Sequence, residues 1–367
     1  MDDPYARLAA ALDALPNGFP RTQGGKELEI LKKIFSPEEA LLASNLSREM
    51  ELPTTIAARM GLPDEHVASR LKALARRGMV WLDLDRQAKS WRYRLAPFVV
   101  GIYEASLEMM DHELAHLVEE YMAEGGADGI MKPEPPLARV VPGRHALPSE
   151  WVLPYEDVVK ILDRARTFSV RDCICRVQQD RLGRRCDFPI HNCLSFSGFG
   201  RPPGPHDISK SEALALLDQC EEVGLVHTVS NVVRDLYYVC NCCGCCCGIL
   251  RGINERGIKN SVAKASYLAT IDPERCTGCL VCTGRCQVHA ITEVEGVAVV
   301  DSERCIGCGL CVTGCSAGAA SLHKRPDWEE IRPPETFADW ERQRLHRRSH
   351  LLAVSIDDPA SSEVVGR

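Results

Sequence analysis

Nineteen of the 367 residues are cysteine, and eight of them have a spacing that leaves little choice of chemistry. Cys276, Cys279, Cys282 and Cys286 follow C-x2-C-x2-C-x3-C. Cys305, Cys308, Cys311 and Cys315 repeat that spacing at an offset of 29 residues. Such a run supplies the thiolates of a [4Fe–4S] cluster. Gly278, Gly307, Gly309 and Gly314 stand between the ligands, where they keep side chains off the inorganic core and free backbone N–H groups to donate to sulfur. Two clusters are therefore expected between Cys276 and Cys315.

Ten more cysteines lie upstream in two groups. Cys173, Cys175, Cys186 and Cys193 form C-x-C-x10-C-x6-C, four thiols close enough in sequence to close one tetrahedral or iron–sulfur site. The spacing is not the pair of C-x2-C knuckles of a zinc ribbon. With eight iron–sulfur ligands downstream, a third cluster is the reading chosen over zinc and over free thiols. Cys240, Cys242, Cys243, Cys245, Cys246 and Cys247 put six thiols into eight residues. Unliganded, they would invite oxidation. Adjacent cysteines project differently, so all six cannot serve one cubane, and spacing does not say which four would. A cluster shared with the Cys173–Cys193 group, a cluster of unusual shape, and one with an open iron for substrate all stay open. Cys220 sits alone in a predicted helix and reads as a small apolar residue.

The C-terminal module resembles the two-cluster bacterial ferredoxins. The resemblance implies two pseudo-twofold halves with crossed ligation. Cys276, Cys279, Cys282 and Cys315 would hold one cluster, and Cys305, Cys308, Cys311 and Cys286 the other. The module departs from the usual pattern after each fourth cysteine, where Gln287 and Ser316 replace a common proline. Proline is no ligand there, so the change bears on turn rigidity and reduction potential. Ala290–Val300 alternates as a hairpin turning at Glu295-Gly296. From about residue 155 the chain is also similar to a group of anaerobe iron–sulfur proteins. That likeness rests on a C-x-C-R element (Cys173 to Arg176), a C-x2-P-x3-C element (Cys186 to Cys193), the C-x-C-C-x-C-C-C run, and the helix start at Ile249. It implies electron transfer and gives no substrate.

The elements that must position these ligands are read in chain order. Helical periodicity covers Lys26–Phe35, Pro37–Leu46, Leu52–Gly61 and Leu62–Arg77, followed by strands over Met79–Asp85 and Trp91–Leu95. Helix, turn, helix and hairpin resemble a winged helix. Residues 26–95 hold 13 Lys/Arg against 10 Asp/Glu, and Asp64 and Glu65 start the would-be recognition helix, where phosphate would repel them. Arg86, Lys89, Arg92 and Arg94 on the wing point the other way. A protein-docking or structural role is favoured over DNA. A long helix is predicted over Ile102–Glu124. It contains His112-Glu113-Leu-Ala-His116, a match to the zincin motif that reads as a polar helix face, since nothing nearby supplies a third ligand. Ten glycines and prolines between Gly125 and Pro154 predict an extended linker that wraps another domain. Helices are predicted over Tyr155–Thr167 and Asp207–Leu225, and a strand over Leu236–Val239. The tail carries a basic helix, Trp340–Arg348, that reads as a solvated helix packing over the clusters through Trp328 and Trp340, with partner docking as the alternative. Residues 356–367 read as disordered.

The fold class is α+β multidomain. The winged-helix-like part is 1–98, the long helix and linker 99–154, the cysteine-rich domain 155–265, the dicluster domain 266–325 and the C-terminal extension 326–367. A net charge of −7 argues against bulk nucleic-acid binding. Many thiols without an apolar leader or a membrane-length run point to a reducing cytoplasm. The function expected is an iron–sulfur electron-transfer protein or subunit serving a partner oxidoreductase. Its cofactors would be two [4Fe–4S] clusters plus one or two more, and no flavin or nicotinamide fingerprint is present. A reductase with an open iron near Cys240–Cys247 and an iron–sulfur-dependent DNA-binding regulator are the alternatives.

Overall fold

The computed structural model describes residues 3–85 and 89–357, with side chains described to Ser349. Arg86 of the expected wing and most of the terminal stretch 356–367 lie outside the described residues. The chain divides into two units, Met1–Glu134 with Glu341–Arg367, and Pro135–Trp340. Among the described residues no helix is long and apolar enough to cross a membrane.

The first unit is mainly helical. Pro4–Asp13, Lys26–Ile34, Pro37–Ser44, Pro53–Met60 and Asp64–Arg76 are helices. Ser36 caps the third with a capping box closed by Glu39, and Gly61 ends the fourth in the left-handed region that glycine tolerates. Strands β1 (Val80–Asp85) and β2 (Ser90–Leu95) pair antiparallel. Leu8, Leu12, Ile30, Leu31, Leu71 and Leu74 are buried on the inward faces of these helices.

The long helix predicted over Ile102–Glu124 does not exist as one piece. Short turns cover Phe98–Met109, and a regular helix runs only from His112 to Tyr121. Asp111 starts it, its carboxylate accepting from the Leu114 N–H at 2.8 Å. The apolar period continues across this break, so periodicity hid a cap.

The tail helix, Phe337–Asp357, is not solvated throughout. Trp340 is buried at the edge of the second unit, where its indole N–H donates to the Pro136 carbonyl at 2.9 Å and its ring stacks on Phe337. Arg344 is fully buried in the first unit and donates to the carbonyls of Pro16, Ile130 and Pro133. Arg348 reaches Asp13 and the Gly129 carbonyl. The basic run reads as surface, yet two of its arginines act as carbonyl clamps.

The second unit is built on a six-stranded antiparallel sheet. Its strands are β3 (Ala138–Val141), β4 (Thr167–Asp172), β5 (His191–Ser197), β6 (Asp207–Ile208), β7 (Val226–Ser230) and β8 (Tyr238–Cys242), in the order β3-β7-β8-β5-β4-β6. β3 lies inside the stretch expected to be linker. All four of its residues are buried, and Ala138 pairs with Ser230 and Val141 with His227. The flanking prolines mask a short apolar run that the sheet accepts. The helix predicted over Tyr155–Thr167 shrinks to Val158–Asp163, capped by Asp157, because Thr167 already opens β4. Lys210–Val223 is the helix expected near there, with its Ser209/Glu212 capping box. β9 (Tyr267–Ile271), β10 (Ile291–Val294), β11 (Val297–Val300) and β12 (Ala320–Lys324) form two hairpin-like pairs, β10 with β11 and β9 with β12.

Arg344→Ala leaves three buried carbonyls without a donor, each worth about 1 kcal/mol or more. The first unit should lose about 3 kcal/mol of stability, read as a lower denaturant midpoint at unchanged slope in its helical signal.

Candidate metal centres

The eight C-terminal cysteines occupy two equivalent turns. In both, an aspartate opens the turn: the Asp272 carboxylate accepts from the Glu274 N–H, and Asp301 from Glu303, each at 2.9 Å. In both, the fourth cysteine accepts from the backbone N–H four residues on: Ala290 to Cys286 at 3.1 Å and Ala319 to Cys315 at 3.3 Å. Gly278 and Gly307 have positive φ and lie against backbone carbonyls, so neither position accepts a side chain.

Cys276, Cys279, Cys282 and Cys315 line one small pocket. Cys279 is exposed there. The other four, Cys286, Cys305, Cys308 and Cys311, feel one another electrostatically and sit deeper, Cys305 and Cys311 being 7% and 6% exposed. Burial pushes the Cys311 thiol up to about 12 and Cys308 well above its ordinary value. Without a metal these thiols stay protonated, and metal binding must displace the protons. Each set of four suits a [4Fe–4S] cluster in donor type and number.

The upstream cysteines do not group as their spacing suggests. The expected site of Cys173, Cys175, Cys186 and Cys193 is not formed, because the loop after the helix Ile174–Arg181 carries Cys186 away. Cys186 meets Cys243, Cys245 and Cys246 instead, and the four sulfurs all lie within 4.8 Å of one another. The Cys186 sulfur is 3.8 Å from Cys243 and 3.5 Å from Cys246, and Cys245 is 3.8 Å from Cys246.

The remaining six form a closed circuit of neighbours. Cys173 contacts Cys175, Cys175 contacts Cys247, Cys247 contacts Cys242, Cys242 contacts Cys240 and Cys240 contacts Cys193. Cys193 in turn lies near Cys173. Two strand ends and two helix starts bring them together. β5 carries Cys193, and β8 carries Cys240 and Cys242. Cys173 and Cys247 stand at the N-caps of Ile174–Arg181 and Gly248–Glu255. The helix N-terminus after Cys247 turns its N–H groups on the thiols, Gly248 donating to Cys175 and Leu250 to Cys247. Contact with Cys175, then burial, raises Cys173; contact with Cys193 and Cys242, then burial, raises Cys240.

Arg176 lies between the two upstream groups, fully buried. It donates to the Asn192 side-chain oxygen and the Asn241 carbonyl, both at 3.0 Å, and among the described residues it forms no ion pair with a carboxylate. Burial works against its charge, but Cys173, Cys243, Cys242 and Cys186 more than offset that and hold its pKa above the ordinary value. Its Nε–H is buried without a partner. A buried cation without a counter-anion is costly, and metal-bound thiolates would supply the anion.

Gln287 ties the cysteine-rich part to the C-terminal turns. Its side chain accepts from the Gly244 N–H at 2.8 Å and donates to the Gly224 carbonyl at 2.9 Å. Proline at this position would remove both bonds. Arg285 adds donations to the Glu221, Glu222 and Leu310 carbonyls. Sequence reasoning missed these roles, together with those of Arg176, Asn192 and Asn241. The one available signal was the glutamine standing where proline is common.

In the first unit, His112 and His116 face each other at 3.2 Å and are exposed. Glu113 forms an ion pair with Lys33, which takes it out of the base role the motif would need.

Residues 268–316 match the family model described as 4Fe-4S dicluster domain. No curated protein and no solved structure matches the chain. The C-terminal module is thus of the 4Fe–4S dicluster type, and the chain is an iron–sulfur protein.

A Cβ at Gly244 would stand 2.1 Å from the Gln287 carbonyl oxygen, so Gly244→Ala must push the loop off the module. Gln287→Ala removes two hydrogen bonds, about 1–2 kcal/mol. Hydrogen exchange of the Gly244–Cys247 amides should quicken in both variants, and more in Gly244→Ala.

Proposed function

We propose that this chain is an electron-transfer protein or subunit that relays electrons through iron–sulfur clusters between its cysteine-rich part and a partner oxidoreductase. The observation that carries the reading is continuity. Cys240, Cys242 and Cys247 of the six-thiol circuit pack into the same apolar cluster as Cys282, Cys286, Cys305 and Cys311. In this reading the circuit holds a third cluster through four of its six thiols, the deep C-terminal cluster is the middle station, and the cluster at Cys276, Cys279, Cys282 and Cys315 is the outlet. The clusters supply the redox chemistry when bound. The protein holds them, keeps water from the inner ones, and donates N–H groups to ligand sulfurs, which tunes potential.

The outlet has a surface suited to a redox partner. Cys279 is exposed, and Val281, Val294 and Val299 of the same module are 48%, 49% and 43% exposed. Small apolar patches near an exposed cluster suit brief, weak encounters. The cytoplasm is the proposed setting, because clusters of this kind need reducing conditions.

The N-terminal helices and hairpin are proposed as a winged-helix-like unit with a structural or protein-docking role. Five of the basic residues that a DNA-binding face would present are held in ion pairs. Arg59 pairs with Glu51, Arg70 with Glu38, Arg77 with Glu39, Arg92 with Asp85 and Arg94 with Glu341. A mobility shift on mixed duplex DNA at low salt should show no complex.

The decisive measurement is iron and acid-labile sulfide per chain in protein purified without oxygen, with electron paramagnetic resonance of the dithionite-reduced state. Three clusters require about twelve sulfides. About eight would confine the clusters to the C-terminal module and defeat the relay. Cys279→Ser should slow electron delivery to an external acceptor at least tenfold while leaving the other clusters' signals in place.

A further inference from the structure

The four sulfurs of Cys186, Cys243, Cys245 and Cys246 make a tetrahedron. All six edges are close contacts: three are the distances given above, and Cys243 also touches Cys245 and Cys246, while Cys186 touches Cys245. A metal–sulfur bond of about 2.3 Å in tetrahedral coordination fixes the sulfur–sulfur edge at about 3.8 Å. The three edges with measured lengths, 3.5 to 3.8 Å, match that figure, and all six stay within 4.8 Å.

A cubane asks for something different. Each of its four thiolates caps a different iron, so the sulfurs stand outside the corners of the cluster and well apart. The same chain provides the comparison. Among the described residues, the Cys186 set is the one group of three or more ligands that closes to within 4.8 Å. Cys276, Cys279, Cys282 and Cys315 line a pocket and do not close to that distance. We infer that Cys186, Cys243, Cys245 and Cys246 bind a single thiophilic divalent ion, of the class that includes zinc and ferrous iron, and not an iron–sulfur cubane.

The surroundings suit such an ion. Cys243 and Cys246 are 1% and 2% exposed, and Phe188, Leu216, Cys220 and Leu225 pack round the set as an apolar shell of its own, apart from the one around the dicluster cysteines. Four thiolates on a divalent ion carry a net double negative charge. Arg176, buried without a carboxylate and with an unpartnered Nε–H, lies where it would balance that charge. The ion would staple the Cys186 loop to the Cys243–Cys246 turn, and so hold in place the Gly244 N–H that Gln287 accepts from. This site does not require the relay to operate.

The test uses the full chain purified without oxygen from cells supplied with both iron and zinc. The expected result is one metal ion per chain without matching sulfide and, where that ion is zinc, X-ray absorption at the zinc edge showing four sulfurs and no metal–metal scattering. If the ion is zinc, the zinc edge reports it directly; if iron, iron exceeds sulfide by one. Cys186→Ser should lose that one ion and no sulfide. Because a buried substitution can impair folding, Cys245→Ser, at the exposed corner, is the second variant, and it should show the same loss or a shift to three-sulfur coordination. Loss of about four irons with about four sulfides in either variant would overturn the inference. So would an unchanged metal and sulfide content in both.

Discussion

The second unit depends on how a buried positive charge is neutralised. Arg176 is fully enclosed, hydrogen-bonded through two of its nitrogens to asparagine and backbone oxygens, and surrounded by sulfur where a carboxylate would ordinarily be. Neutral thiols cannot offset a guanidinium, whereas metal thiolates can. Were these thiols metal-bound, the folded and metal-loaded states would be coupled, since the arrangement that buries Arg176 is favourable only when the sulfurs around it are anionic. The polar chain behind it has the same logic. Asn192 accepts from Arg176, Asn241 donates to the Asn192 carbonyl at 2.6 Å, and His227 meets the Asn241 side chain at 2.7 Å. Burial pushes His227 down to about 4, which keeps it neutral beside a site that already holds one cation.

The cysteine-rich part and the dicluster module are tied by polar contacts at a turn where the usual ferredoxin pattern is broken. A proline after Cys286 would stiffen the turn and leave it self-contained. Gln287 instead reaches both Gly224 and Gly244, and the neighbouring Arg285 clamps three carbonyls. Gly143 completes the cover from another direction, its N–H donating to the Cys308 carbonyl at 2.9 Å, while Ala146 lies where a side chain at Gly309 would have to go. A soluble carrier would keep both clusters near its own surface. Here Cys279 stays near solvent while Cys305 and Cys311 are buried in the unit's core.

What could be read from the residues alone follows a physical boundary. Ligand runs whose four cysteines are held by one local turn are legible, as at Cys276–Cys315, where the dicluster match agrees with the spacing. Ligand sets assembled across distant elements are not. Nothing in the sequence says that Cys186 belongs with Cys243 rather than with Cys173, because that depends on where the loop after residue 181 travels. The helix boundaries of the first unit were legible where caps and glycines mark them, as at Ser36 and Gly61. The break at Asp111 was hidden by an apolar period that runs through it. β3 was hidden by its prolines, and Arg344 by the assumption that a basic run faces water.

The indole of Trp340 closes on the Pro136 carbonyl, so the second unit's chain enters and leaves at neighbouring points. Such a segment has the topology of an insertion. Its second junction falls inside the helix Phe337–Asp357. All nineteen cysteines lie within that insertion. The thiol chemistry is thereby confined to one continuous piece of chain, and the helical unit encoded on both sides of it contains no cysteine to oxidise.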